Sequence, residues 1–254
     1  MNKDDVKKAM ARLGICVVVP TYNNAATLGS VLDSLGEYCG DVIVVNDGSP
    51  DATGELLDAR RDGIAVIGYS PNRGKGYALM RGFREATARG FRYVVSIDSD
   101  GQHKASDLHR FIEEIETHPD ALLVGSRNLH QENMPGGNTF ANKFSNFWFR
   151  LHTFCRLPDT QSGYRLYPLD AVKGMRIFTR RYEAELELLV RAAWKGVEIR
   201  PVTIEVYYAP QGERVSSFRP GRDFTRISLL NAALTFGAVF YGWPVIGLRK
   251  LFNR

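Results

Sequence analysis

Short uninterrupted apolar runs alternate with stretches of helical spacing through the first half of the chain. Ile15–Pro20, Val42–Val45, Ile64–Ile67, Tyr93–Ile97 and Ala121–Val124 are four to six residues long and rich in β-branched side chains. Runs of that kind predict strands buried on both faces. Between them, apolar residues recur every three or four positions. Leu28, Val31, Leu32 and Leu35 mark one helix, with Thr27 as its expected N-cap. Ser49-Pro50 reads as N-cap plus first helical residue of a helix through Leu56 and Leu57. A long helix is expected from about Gly74, with Leu79, Phe83 and Ala86 on one face. Another carries Leu108, Phe111, Ile112 and Ile115. Buried strands separated by amphipathic helices predict an α/β protein with a mostly parallel sheet and flanking helices.

The pattern loosens further on. Gln131–Asn142 reads as an irregular loop. After Thr160, short strands are expected at Arg165–Tyr167, Val197–Ile199 and Thr203–Tyr207, around a helix marked by Leu186, Leu189, Val190 and Ala193. From Ile227 to Leu248 no residue is charged, a run of 22. As a continuous helix it would reach about 33 Å, comparable with a bilayer core. Asn231, Gly237, Gly242, Pro244 and Gly247 interrupt it, so a broken or interfacial segment is expected, with a buried C-terminal core helix as the alternative. The expected organisation is a domain over residues 1–222 and a membrane-associating tail over 223–254.

Charge sharpens that picture. The 254 residues carry a net charge of +5. The segment from Glu213 onward holds Arg214, Arg219, Arg222, Arg226, Arg249, Lys250 and Arg254 against Glu213 and Asp223, so it accounts for all of it. Basic residues flanking an aromatic-rich apolar run suit an anionic membrane surface better than nucleic acid. Cys16, Cys39 and Cys155 are odd in number and widely spaced, which excludes a disulfide scaffold and points to a reducing compartment. The first apolar run is too short for a signal segment, and export is not expected.

Polar clusters follow several predicted strands: Thr21-Tyr22-Asn23, Asn46-Asp47-Gly48-Ser49, Asp98-Ser99-Asp100 and Gly125-Ser126-Arg127. In a parallel sheet these line one edge, where ligands bind. No G-x-G-x-x-G follows the first strand and no G-x-x-x-x-G-K-[ST] occurs, so dinucleotide-dehydrogenase and P-loop readings lack their phosphate devices. Asp98 and Asp100, one residue apart at a strand end, can share a hard divalent cation that binds diphosphate oxygens.

These motifs occur in a recognisable order. Val18–Asn23, Val44–Asp51, Asn72-Arg73-Gly74-Lys75-Gly76-Tyr77-Ala78, Asp98–His103, Gly125-Ser126-Arg127, Asp159–Arg165 and Val215–Arg219 together resemble family 2 inverting glycosyltransferases of the GT-A fold, in their dolichyl/polyprenyl-phosphate sugar synthase branch. The resemblance runs from about residue 15 to 226. Asn24 departs from the branch's usual Glu, Asn46 from a frequent Asp, and Lys104-Ala105 from a proline pair. Pro20, Tyr22 and Asp47 are thereby implied to line the nucleoside pocket, with Lys75 also on the donor. Asp98, Asp100 and Gln102 are implied to hold a Mg2+ or Mn2+ ion and the diphosphate. Arg127, Lys143 and Arg165 are implied to gather the acceptor phosphate, joined by Ser217 and Arg219. Two phosphorylated substrates bring several negative charges together, which a cation and Arg or Lys clamps must offset.

The implied activity is inverting transfer of a sugar from GDP-mannose or a UDP-sugar to a polyprenyl phosphate, on the cytoplasmic membrane face. An ionised phosphate attacks without a general base. A hydroxyl acceptor would require one, and Glu183 or Glu185 are the candidates, unless they serve only as favourable charges at a helix N-terminus. A catalytically silent membrane-binding module is the reading from another class; a nucleic-acid binder is disfavoured because the basic charge sits in a hydrophobic segment. Bland readings also stand for Asp47 as a turn residue, for Arg127 as a partner of a surface carboxylate, for His103 as a loop residue and for Lys104 as a solvated charge.

Overall fold

The computed structural model describes residues 1–61, 63–127, 136–207 and 220–252. Seven strands form one sheet in the order β3-β2-β1-β4-β6-β5-β7. β1 (Ile15–Thr21), β2 (Val42–Asn46), β3 (Ala65–Gly68) and β4 (Tyr93–Ser96) are parallel, as are β5 (Leu122–Arg127) and β7 (Ile199–Ile204). β6 (Arg165–Pro168) lies between β4 and β5, antiparallel to both. All other strands therefore end at one edge, and β6 begins there.

Alternation along the strands divides the core. Ile15, Val17 and Val19 of β1 face a layer containing Val6, Leu28, Leu35, Phe111 and Ile112, from α1 (Lys3–Leu13), α2 (Ala25–Tyr38) and α5 (Leu108–Thr117). Cys16 and Val18 face the opposite layer, which holds Leu79, Phe83, Phe149, Leu189 and Leu234. These come from α4 (Lys75–Ala88), α6 (Gly136–Thr153), α8 (Glu183–Lys195) and α9 (Pro220–Gly237). Two short helices, α3 (Thr53–Asp58) and α7 (Leu169–Val172), complete the packing. Burial of apolar side chains on both faces is the driving force the strand runs implied.

Several local expectations are corrected. α2 begins after Asn24, not Thr27, whose hydroxyl instead donates to the Ser99 carbonyl at 2.7 Å. α3 begins at Thr53: Asp51 accepts from the Thr53 amide, and Ser49 accepts from the Asn23 amide, so Ser49-Pro50-Asp51 is a connecting turn. Gly136–Asn142 belongs to α6 rather than to a loop. One strand, β7, replaces the two expected around residues 197–207. It is an edge strand, where Pro201 removes no ladder donor that the sheet needs. Beyond it, Val206 bridges to His103 and the Tyr207 amide donates to the Gln102 carbonyl at 2.8 Å.

The C-terminal apolar run is helical from Thr225 to Phe252. A π turn at Ala238–Gly242 joins α9 to α10 (Trp243–Phe252), so the interruption read from Gly and Pro is a change of helical winding. Leu230, Leu234 and Ala238 are buried in the second core layer. Gly237 and Gly242 lie against the Trp194 ring of α8, where a side chain would collide. Phe236, Phe240, Tyr241, Leu248, Leu251 and Phe252 are exposed.

Candidate active site

The sheet edge gathers the polar clusters as the topology requires. Asp98 and Asp100 follow β4, and Lys75 opens α4 after Gly74, whose φ of +97° and close approach to the Arg180 carbonyl admit no side chain. Lys75 Nζ lies 2.6 Å from Asp98 Oδ1 and 2.9 Å from Glu185 Oε2. Gly76 sits against Ala184, which lets the first turn of α8 press on α4 and carries Glu185 to Lys75. Burial opposes the charge on Lys75, but Asp98 and Glu185 outweigh it and its pKa is raised. Burial likewise opposes ionisation of Asp98, yet the neighbouring Lys75 holds its carboxyl below the usual range. Lys75 lowers Asp100 as well, but not enough. Burial and the charge of Asp98 push it up to about 6, although the Gln102 amide donates to it at 3.0 Å.

That raised carboxyl marks a pair short of positive charge, and the donors are hard oxygens. The residues fit a divalent cation. Among the described residues no cluster of three or more His, Cys, Asp or Glu side chains forms a complete cage.

The loop before β6 ties this centre to Arg127. Gly163 stands where a Cβ would lie 2.5 Å from Asp98 Oδ2 and 2.7 Å from Lys75 Nζ. Its carbonyl accepts from the Ser96 hydroxyl at 2.7 Å. Four residues earlier, Asp159 is fully buried and accepts both Nε and Nη2 of Arg127. Burial opposes ionisation of Asp159, but the Arg127 hydrogen bonds lower its pKa. Asn142 donates to Asp159 at 2.7 Å, and Asn146 on the same face of α6 holds the Thr160 amide and the Pro158 carbonyl.

Not every implied residue points into the edge. Arg165 is fully buried: it donates to the carbonyls of Thr160, Ser162 and Glu185, so it braces the loop instead of presenting its guanidinium outward. Asp47 accepts from the Arg73 and Gly74 amides and from Asn72 Nδ2, fixing the turn into α4. Pro20 is buried in β1 and Tyr22 is partly exposed just after it. His103 is pushed down to about 4 by burial and packs its ring 5.2 Å from Tyr164, so it is neutral at pH 7. Lys104 is exposed and pairs with Glu205 at 2.6 Å. Lys143 is exposed on α6 beside Asn142. Ser217 and Arg219 lie outside the described residues. Sequence reasoning assigned no role to Gly163, Asp159, Asn142, Asn72 or Asn146. Asn72, Asp159 and Gly163 stood inside quoted motifs, and that was the available signal.

The chain is similar to known proteins in sequence and in fold. The family model for Glycosyl transferase family 2 matches residues 16–173. Undecaprenyl-phosphate mannosyltransferase of Micrococcus luteus is 30% identical over 212 residues, spanning 78% of this chain and 86% of that protein. Polyprenol monophosphomannose synthase of Mycolicibacterium smegmatis is 30% identical over 200 residues, or 74% of this chain and 75% of its own. Among solved structures, glucosyl-3-phosphoglycerate synthase of Mycobacterium tuberculosis, in complex with Mn2+, UDP and phosphoglyceric acid, superposes with a TM-score of 0.69. It covers 93% of this chain and 82% of that one at 23% identity, a likeness of fold. The GT-A architecture expected from the motifs is the one observed.

Proposed function

The chain belongs to glycosyl transferase family 2, and from that premise we propose that it transfers a sugar, with inversion, from a nucleotide-sugar donor to a polyprenyl phosphate at a membrane. The observation that carries the reading is the pairing of two phosphate-suited centres on one sheet edge. Asp98, Asp100 and Lys75 form one, and Arg127 on its buried Asp159 forms the other, joined by the 159–163 loop. A Mg2+ or Mn2+ ion held by Asp98 and Asp100, with Gln102, would supply the positive charge that stabilises the departing nucleoside diphosphate. Pro20, Tyr22 and the Asp47 turn would flank the nucleoside. Arg127 is oriented bidentately by Asp159 and would take the acceptor phosphate, with Lys143, exposed next to Asn142 on α6, as a further cation for it. Ser217 and Arg219 join them on motif resemblance alone. Arg165 orders the loop that both centres share.

A phosphate acceptor is already ionised at neutral pH, so its oxygen attacks the anomeric carbon directly. A hydroxyl acceptor would need Glu185 as base. One oxygen of Glu185 is committed to Lys75, which favours the phosphate reading. Mannose, glucose and N-acetylglucosamine donors all occur among the named relatives, so the donor is a matter for assay.

The C-terminal helix supports the membrane part. It is long and apolar enough to cross a bilayer. However, Leu230, Leu234 and Ala238 fix its first half to the core, and Arg249 near its end donates to the Trp194 and Lys195 carbonyls of α8. A helix held at both ends lies along the domain, with Phe236, Phe240, Leu251 and Phe252 turned outward to a lipid surface. The site then faces lipid head groups on the cytoplasmic side. The test is transfer from labelled GDP-mannose, UDP-glucose and UDP-N-acetylglucosamine to undecaprenyl phosphate and to undecaprenol. Label on the phosphate alone supports the reading; equal label on the alcohol refutes it.

A further inference from the structure

Lys75 sits against the first of the two carboxylates that follow β4. Its ammonium lies 2.6 Å from Asp98 Oδ1, on a side chain proposed above to hold a divalent cation. The same ammonium already touches a second acceptor, Glu185 Oε2, at 2.9 Å. Glu185 is 6% exposed, and its other oxygen, Oε1, is buried without a hydrogen-bond partner. A buried carboxylate with unused acceptor capacity is costly unless something comes to occupy it. The fold has built this juxtaposition across more than a hundred residues of sequence: Gly76 admits Ala184 and so brings the first turn of α8 against α4. Gly163 puts no side chain of its own into the space beside Asp98 and Lys75. With all groups ionised, Asp98, Asp100 and Glu185 face Lys75 and the buried Arg165, an excess of negative charge that a divalent cation offsets.

Resting on the reading of this edge as a metal–nucleotide site, we propose that Lys75 is a resident counter-cation for Asp98 that passes to Glu185 when a divalent cation arrives. Glu185 is the positioning residue for that exchange. An incoming cation repels the ammonium at short range. Because Glu185 is already in contact, Lys75 keeps a charged partner throughout and needs no rehydration. The exchange makes and breaks only ion pairs, with no proton or electron moved.

The experiment is Mn2+ titration of the full chain at pH 7.5 without nucleotide, followed by electron paramagnetic resonance of free Mn2+. Lys75→Met removes the competitor and should tighten Mn2+ binding about tenfold or more, the scale of one charged hydrogen bond. Glu185→Gln leaves Lys75 with Asp98 alone and should weaken it. The double variant Lys75→Met/Glu185→Gln restores the net charge of the parent and leaves no unpaired carboxylate at position 185. Exchange requires that it bind Mn2+ more tightly than the parent. Equal affinity would mean that Lys75 acts only through its field, and that result, or weaker binding by folded Lys75→Met, overturns the proposal. A parent chain that fails to bind Mn2+ or Mg2+ even with nucleotide sugars overturns the metal reading along with it. Parent binding with an unchanged double variant sinks the exchange alone.

Discussion

Two glycines a few ångströms from the same lysine should fail in opposite ways. A methyl at Gly163 would lie 2.5 Å from Asp98 Oδ2, 2.9 Å from Asp98 Oδ1 and 2.7 Å from Lys75 Nζ. All three are ends of side chains, and they can swing aside. Gly163→Ala should therefore cost little stability, about 1 kcal/mol or less, which is roughly 2–4 °C of Tm for a chain of this size. What moves, however, is the pair at the centre of the site, and a displacement of about 1 Å in reacting geometry costs on the order of 100-fold in rate. A methyl at Gly76 meets instead the Ala184 methyl and the Arg180 backbone, neither of which has a torsion to give. Gly76→Ala must push α8 from α4, an overpacking penalty of roughly 1–3 kcal/mol or a Tm loss of about 2–12 °C. Differential scanning fluorimetry and sugar transfer, measured side by side, separate the two. A Gly163→Ala protein with parental turnover, or one that loses more Tm than Gly76→Ala, would refute this reading of the site.

Asp100 gives a pH dependence with a definite sign. Its carboxyl titrates near 6 when folded against about 3.9 unfolded, so ionisation in the fold is disfavoured. Metal-free protein should lose roughly 1–3 kcal/mol as pH rises from about 4 to 7, and Asp100→Asn should flatten that slope in urea titrations. Arg127→Ala strands the buried Asp159 and should cost roughly 3–5 kcal/mol, while Arg127→Ala/Asp159→Asn recovers much of it. Parental stability of the single variant would contradict that pairing. Phe236→Ser/Phe240→Ser changes two exposed rings and should leave Tm within about 2 °C yet reduce co-sedimentation with vesicles of phosphatidylcholine and phosphatidylglycerol. Undiminished sedimentation would mean another surface meets the lipid.

How much was legible depended on whether the signal was local. β1, β2, β4 and β5 are buried on both faces, and such runs stand out in any window. α1 did not, because only Val6, Ala9 and Met10 of its eleven residues are buried among charged neighbours. α6 begins with Gly136 and Gly137 and buries few aliphatics, so its start resembled a loop. At the site, Asp98 and Asp100 announced themselves by spacing. The Lys75–Glu185 contact could not, since it depends on two glycines that bring α4 and α8 together. Arg165 was implied as a phosphate ligand by the motif resemblance, and only its neighbours reveal that backbone carbonyls take up its guanidinium. For Arg127, the alternative of a surface carboxylate partner fails on burial: the partner is Asp159, which is fully buried.

The most direct test of the central claim is the partition of label into lipid when the two carboxylates at the end of β4 are changed. With undecaprenyl phosphate, Mn2+ and the best nucleotide-sugar donor, the parent chain should form an organic-soluble, inverted sugar phosphate. Addition of EDTA should stop it. Asp98→Asn and Asp100→Asn, each with parental circular dichroism, should lose at least about 100-fold in turnover and lose metal-dependent donor binding as well. Near-parental turnover in either folded variant, or full activity in EDTA, would contradict the assignment of this edge as the site of transfer.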